Sequence, residues 1–252
     1  MTLPANISIN IFYLAAVFYA ASLILLPLPK KAWSTFFLCL GLAANLVSTI
    51  IRHLSIWPLL PMYAEPFFLP GCIAMMAVVL ICFKKTEQGL YIVPLIIIFA
   101  LIGVFFPNDF YLPILQSKTI FSHIFFLFTT IAHACFGAGA VLALLFIFRK
   151  DKGERPVFSK FIIWGFSCYS LALFSVQVWS YLGWSSPVVW TNYILTSSAA
   201  TWFYYTCFFH LHLLKRWRIE HRAAFVVAGF VLVFFFNYLP ETGRFKMPLL
   251  IW

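Results

Sequence analysis

The sequence predicts an all-α fold, a polytopic membrane bundle of about eight transmembrane helices with both termini outside, and three observations carry that expectation. Of its 252 residues 63% are apolar and 10% charged, and the mean hydropathy is +0.97, a balance that no soluble domain of this length needs. Apolar runs of ~20 residues, the length that crosses a hydrocarbon layer of ~30 Å, recur between short charged patches. Basic residues gather in alternate connections, as they do when one side of a membrane retains them.

Hydropathy places the spans at about 9–28, 33–51, 66–83, 90–106, 120–148, 158–182, 193–214 and 223–239. With that count Lys30, Lys31, Lys84, Lys85, Arg149, Lys150, Lys152, Arg155, Lys160, Lys215, Arg216, Arg218 and Arg222 share one side. These are thirteen of the seventeen Lys and Arg, so that side is expected to be cytoplasmic, leaving Arg52, Lys118, Arg244 and Lys246 outside. The formal charge of +10 is then a signature of topology and of contact with anionic headgroups, and no nucleic-acid partner is expected. No connection is long enough for a soluble domain, so residues 1–252 are expected to form a single transmembrane domain. The first apolar run has neither a basic leading region nor a clear cleavage site, which predicts that it stays on the protein. Cys39, Cys72, Cys82, Cys135, Cys168 and Cys207 all fall in apolar segments without a CxxC pair and read as packing residues. Pro residues fall mainly in loops or near span ends, Pro94 at the start of the fourth span.

Between Phe161 and Leu214 there is no Asp, Glu, Lys or Arg, although this stretch includes a turn at the outer surface. That turn reads VWSYLGWSSPVVWTNY, with Trp179, Trp184 and Trp190 around it. An interfacial aromatic belt explains such a cluster; so does a platform for a large flat apolar ligand. Neutral imidazole suits haem iron in an apolar setting. His123, His133, His210 and His212 lie within spans, where ionisable groups are costly and often functional. Each also reads, taken singly, as a hydrogen-bonded packing residue. His123 is expected near the outer interface and His210 ~25 Å deeper, 17 residues into its span at ~1.5 Å per residue. One iron cannot bind both. His53 has the depth to serve as a second ligand beside His123, and Arg52 to pair with a haem propionate.

Four stretches in order along the chain resemble the cytochrome c assembly family of CcsA-, CcmC- and HemX-type proteins. In RHLSIWPLLPMYAEPFF, the residues Arg52, Pro61, Tyr63 and Glu65 are similar to the family's arginine and P-x-x-N-x-Y-E segment. LPILQSKTIFSHIFF is similar to LQS-x-W-L-x-x-H-V, with His123 at the position of the outer histidine. WGFSCYSLALFSVQVW resembles the segment leading into the tryptophan motif, and WSYLGWSSPVVWTNYILTSSAATWFYYTCFFHLHLL follows that motif to the membrane histidine. This sets Trp179, Trp184, Trp190, Trp202 and His210 on family positions. The motif itself, W-G-x-Y-W-x-W-D-P-K-E, is degenerate here. Thr191 stands for the aspartate, Asn192 for the proline, Tyr193 for the lysine and Ile194 for the glutamate, and Val188 takes one tryptophan position. The family's C-terminal H-S-Y-G has no counterpart in YLPETGRFKMPLLIW, as in HemX-type members.

The resemblance implies haem b as the cofactor, carried to the outer face of a bacterial inner membrane for cytochrome c maturation. Trp179, Trp184 and Trp190 would cradle it, with His123 and His210 as iron ligands; the supporting roles of Arg52 and His53 rest instead on their depth in the membrane. The partners implied are haem, a second membrane subunit and an apocytochrome c; the chain holds no self-contained catalytic motif. A non-haem scaffold or regulator of haem synthesis fits the degenerate motif. A small-molecule transporter is disfavoured because all seven Asp and Glu lie in loops or at span ends. Quinone binding is a further reading.

Overall fold

The computed structural model describes residues 3–29, 31–56, 65–107, 119–149, 157–187, 191–214 and 217–247. Among these residues the regular elements are all helical: α1 (Leu3–Ile24), α2 (Lys31–Ile56), α3 (Glu65–Cys82), α4 (Thr86–Leu90), α5 (Val93–Phe105), α6 (Ile120–Arg149), α7 (Phe158–Trp184), α8 (Tyr193–His212) and α9 (Ile219–Val233). A π-helical segment, Phe234–Tyr238, and a 3₁₀ turn, Leu239–Glu241, continue from α9. Seven candidate spans are long and apolar enough to cross a membrane, with α4 and α5 counted together and the π segment joined to α9. The protein is therefore an all-helical integral membrane protein. At 20 residues α8 has the length, but Thr196, Ser197, Ser198, Thr201, Thr206, His210 and His212 lower its hydropathy, and it is not among the seven.

The helices gather into two compact units, one of Met1–Leu112 with Thr242–Trp252 and one of Pro113–Glu241. In the first, α1 and α2 run antiparallel and are joined by hydroxyls. The Ser22 Oγ donates to the Ser34 carbonyl at 2.9 Å, the Ser34 Oγ to the Ser22 carbonyl at 2.8 Å, and the Ser48 Oγ to the Ser8 carbonyl at 2.6 Å. Buried hydroxyls left alone would cost several kcal/mol each in hydrocarbon, roughly the penalty of an unmade hydrogen bond. The apolar core of this unit holds Phe12, Phe67 and Val104. Pro70 lies inside α3 and lacks the N–H that would bond the Pro66 carbonyl. Gly103 of α5 approaches that oxygen so closely that a Cβ would sit 2.6 Å from it. Residues 242–247 return to the end of α5, where the Lys246 N–H donates to the Phe105 carbonyl at 2.8 Å and Phe245 stacks on Phe105.

In the second unit α6 packs against α7 and α9, and α8 against α7 and α9. Its centre is the stack of Phe136 on Tyr205, 3.8 Å between centroids, with Tyr169 against Phe136. Gly165 lets α7 close on α6, since a Cβ there would lie 2.7 Å from the Phe136 ring. Several hydroxyls of α8 are bonded: Thr196 donates to the Asn192 carbonyl at 3.1 Å and Thr206 to the Trp202 carbonyl at 2.9 Å, while Thr201 accepts from the buried Asn237 amide of the π segment at 2.7 Å. Gly165→Leu is expected to destabilise the unit by about 1–3 kcal/mol through overpacking. Thermal unfolding in detergent reads this as a lower midpoint, whereas Ile163→Leu, at an exposed position on the same helix, leaves the midpoint where it is.

Candidate functional site

Two of the residues singled out in the sequence meet at the end of the second unit where α7 gives way to α8. Trp179 and Trp184 come together edge to face with centroids 5.7 Å apart, and Phe126 of α6 approaches Trp179 at 6.4 Å. His123 is half-buried one turn before Phe126, in the first turn of α6. The two indoles differ in availability: Trp179 is 8% exposed and Trp184 39%. Trp179 therefore serves as a buried backing ring, and Trp184 offers the face that a ligand could reach. Trp190, Pro61 and Tyr63 lie outside the described residues.

Local chemistry fixes this end. Ser185 closes α7 in the left-handed conformation, φ 54°, with its N–H on the Tyr181 carbonyl, and the Ser180 Oγ donates to the Ser186 carbonyl at 2.8 Å. Asn192 caps α8, its Oδ1 accepting from the N–H of Ile194 at 3.0 Å and of Leu195 at 3.4 Å. Asn192 and Tyr193 thus start a helix: Asn192 is the cap, and Tyr193 opens α8.

His210 stands at the other end of the unit. The helix from Tyr193 to His212 is unbroken, so 17 residues put it about 25 Å along the axis from Tyr193. Phe209 beside it meets Phe166 in the first third of α7, at 4.8 Å. His123 and His210 accordingly sit at opposite ends and cannot share one iron. His210 is exposed, and its Nδ1 lies 3.0 Å from the Thr206 carbonyl. A carbonyl only accepts, so the proton belongs on Nδ1 and the Nε2 lone pair is left outward. A backbone carbonyl holding one ring nitrogen while the other is presented is the arrangement that orients metal-binding imidazoles.

His133, by contrast, is 3% exposed in the middle of α6 with its ring 5.8 Å from Tyr169, a core position. Arg52 and His53 belong to the first unit, in the last turns of α2, both half-buried; the Arg52 guanidinium lies 3.9 Å from the centroid of Phe67, a cation–π contact. Among the cysteines Cys72 and Cys135 are buried, Cys39, Cys82 and Cys207 exposed, and all six are free thiols. Among the described residues no three His, Cys, Asp or Glu gather closely enough to hold a bare metal ion.

One feature of the second unit lies beyond what spacing foretells. A cavity of about 340 Å³ opens between α7 and α8, lined by Ser170, Gln177, Phe174, Trp202, Phe203 and Pro187 among others. The Trp202 indole N–H donates to the Ser170 Oγ at 2.9 Å and its ring stacks on Phe166 at 5.7 Å, so this wall is locked. The signal available in the sequence is Gln177 itself, the one Asn or Gln of α7, in a helix without charge after Lys160.

A stretch of 136 residues, 49% of the chain, is 27% identical to the cytochrome c biogenesis protein CcsA of Chlamydomonas reinhardtii and covers 38% of the length of that protein. No family model matches the chain. No solved structure matches it either.

The different settings of the two indoles predict different costs. Trp179→Ala is expected to lose about 3–5 kcal/mol, as buried aromatic truncations do, and Trp184→Ala under about 1.5 kcal/mol, both read from unfolding of haem-free protein. Equal losses would place Trp184 in the packed interior as well.

Proposed function

We propose that this chain is a haem-handling membrane subunit of cytochrome c assembly, which holds haem at His210 near one membrane face and delivers it to Trp184 and His123 near the other. The similarity to a CcsA protein supports the biological setting. The observation that carries the site is the His210 ring, with Nδ1 on the Thr206 carbonyl and Nε2 outward, ready to bind ferrous or ferric iron as a neutral ligand. Trp184 would stack on the porphyrin with Trp179 holding it upright. The partners in this reading are a second membrane subunit and an apocytochrome c.

The orientation belongs to the same proposal. The bond from Trp202 to Ser170 and the contact of Phe209 with Phe166 pair the second half of α8 antiparallel with α7, which supports α8 as an eighth span. Eight spans put both termini outside and thirteen of seventeen basic residues in the cytoplasm, in a bacterial inner membrane. His210 then lies toward the cytoplasm and His123 outside. The buried Trp179 and the uncharged Thr191, Tyr193 and Ile194 favour a second reading, a scaffold or regulator of haem synthesis that has lost haem.

Absorption spectra of detergent-purified protein, oxidised and dithionite-reduced, separate the two. The haem reading predicts a Soret band with sharp reduced α and β bands, weakened by His210→Ala and by His123→Ala. A colourless wild type from haem-replete cells supports the scaffold.

A further inference from the structure

The cavity between α7 and α8 does not suit haem. Among the described residues its lining contains no His, Cys, Met, Lys or Arg, so these offer iron no axial ligand and a propionate no cation. Its polar groups are neutral. The Ser170 hydroxyl is engaged, donating to the Phe166 carbonyl at 2.8 Å and accepting from Trp202. Gln177 is different: its side chain is exposed on a membrane-spanning helix, and it forms no hydrogen bond with any described residue. Seven residues separate it from the end of α7 at Trp184, about 10 Å along the axis, a depth at which neighbouring acyl chains carry no polar atom. An amide in that position calls for a partner with oxygen. Around it stand Leu173, Val176 and Leu195, with the locked indole of Trp202 and the rings of Phe174 and Phe203. Phe174 is 69% exposed and Phe203 61%, so the cavity opens sideways, where the surrounding medium is lipid.

We propose that the α7–α8 cavity binds a lipid-soluble quinone-type ring, whose carbonyl or hydroxyl oxygen pairs with the Gln177 amide while the ring lies against Trp202 and Phe203 and the tail leaves into the bilayer. A volume of about 340 Å³ falls in the range of small-molecule sites, ~300–1,000 Å³, and holds one substituted six-membered ring. This site is independent of the haem reading and involves none of its residues.

The test is equilibrium binding of a decyl-substituted benzoquinone to purified protein, with decylbenzene and haemin as competitors. Wild type and His210→Ala are expected to bind it saturably and alike. Gln177→Leu, an apolar change at an exposed position, is expected to weaken binding tenfold or more. Trp202→Phe is expected to remove the fluorescence quenching that accompanies binding. Undiminished binding to Gln177→Leu would overturn the proposal, as would equal affinity for decylbenzene, which marks a plain apolar groove, or displacement by haemin from His210→Ala, which gives the cavity to haem.

Discussion

Inside a bilayer no water is on hand for a backbone or side-chain polar group, so each must find its partner within the protein. That constraint shapes both units. It confines the described backbone to helices, and it sends hydroxyls back onto helix carbonyls, as at Thr196, Ser170 and Thr206, or across to the next helix, as at Ser22 with Ser34 and Asn237 with Thr201. With bonds such as these made, α8 carries its hydroxyls and still packs against the apolar α7 and α9. Where the rule is left open at exposed positions among the described residues, as at the Gln177 amide and at Nε2 of His210, the chain presents chemistry to something outside itself.

Those two openings differ in kind. The imidazole has a lone pair and a tautomer fixed by the Thr206 carbonyl, which suits a transition metal held in an organic ring. The amide has both donor and acceptor but no affinity for iron, which suits a neutral oxygen. Their separation along α7 and α8, with the packed Phe136 and Tyr205 stack in the core between the helices, allows one unit to host two ligands of different chemistry. Trp179 illustrates the cost of building a stacking surface at a membrane edge: an exposed indole needs a second ring behind it, and Trp179 is the ring that Trp184 leans on.

Much of this architecture is legible in the sequence because hydropathy reports membrane solvation directly. The expected 66–83 and 120–148 correspond closely to α3 at Glu65–Cys82 and α6 at Ile120–Arg149. The fourth span comes as two pieces, α4 and α5, because Gly89 presses against the Ala77 carbonyl and the helix re-forms at Pro94. The sequence window that located Trp179 and Trp184 carries no information on which ring faces inward, since that depends on Phe126 from a different helix. Pro70 inside α3 escapes the same reading because its consequence, a Pro66 carbonyl without its usual helical donor beside Gly103, joins positions 37 residues apart. The α7–α8 cavity is invisible for that reason too. Asn192, which reads as the loss of a motif proline, is a helix cap once its Oδ1 is seen on the Ile194 and Leu195 N–H groups.

The central claim, a role in cytochrome c assembly, meets its most direct test in cells. The measurement is haem-stained electrophoresis of membrane proteins, with total haem quantified in parallel, from a strain lacking this chain and from the same strain carrying the wild-type or His210→Ala form. The account predicts loss of covalently bound haem from c-type cytochromes at unchanged total haem, restored by wild type and poorly by His210→Ala. Normal c-type cytochromes with altered total haem would contradict it and assign the chain to control of haem synthesis.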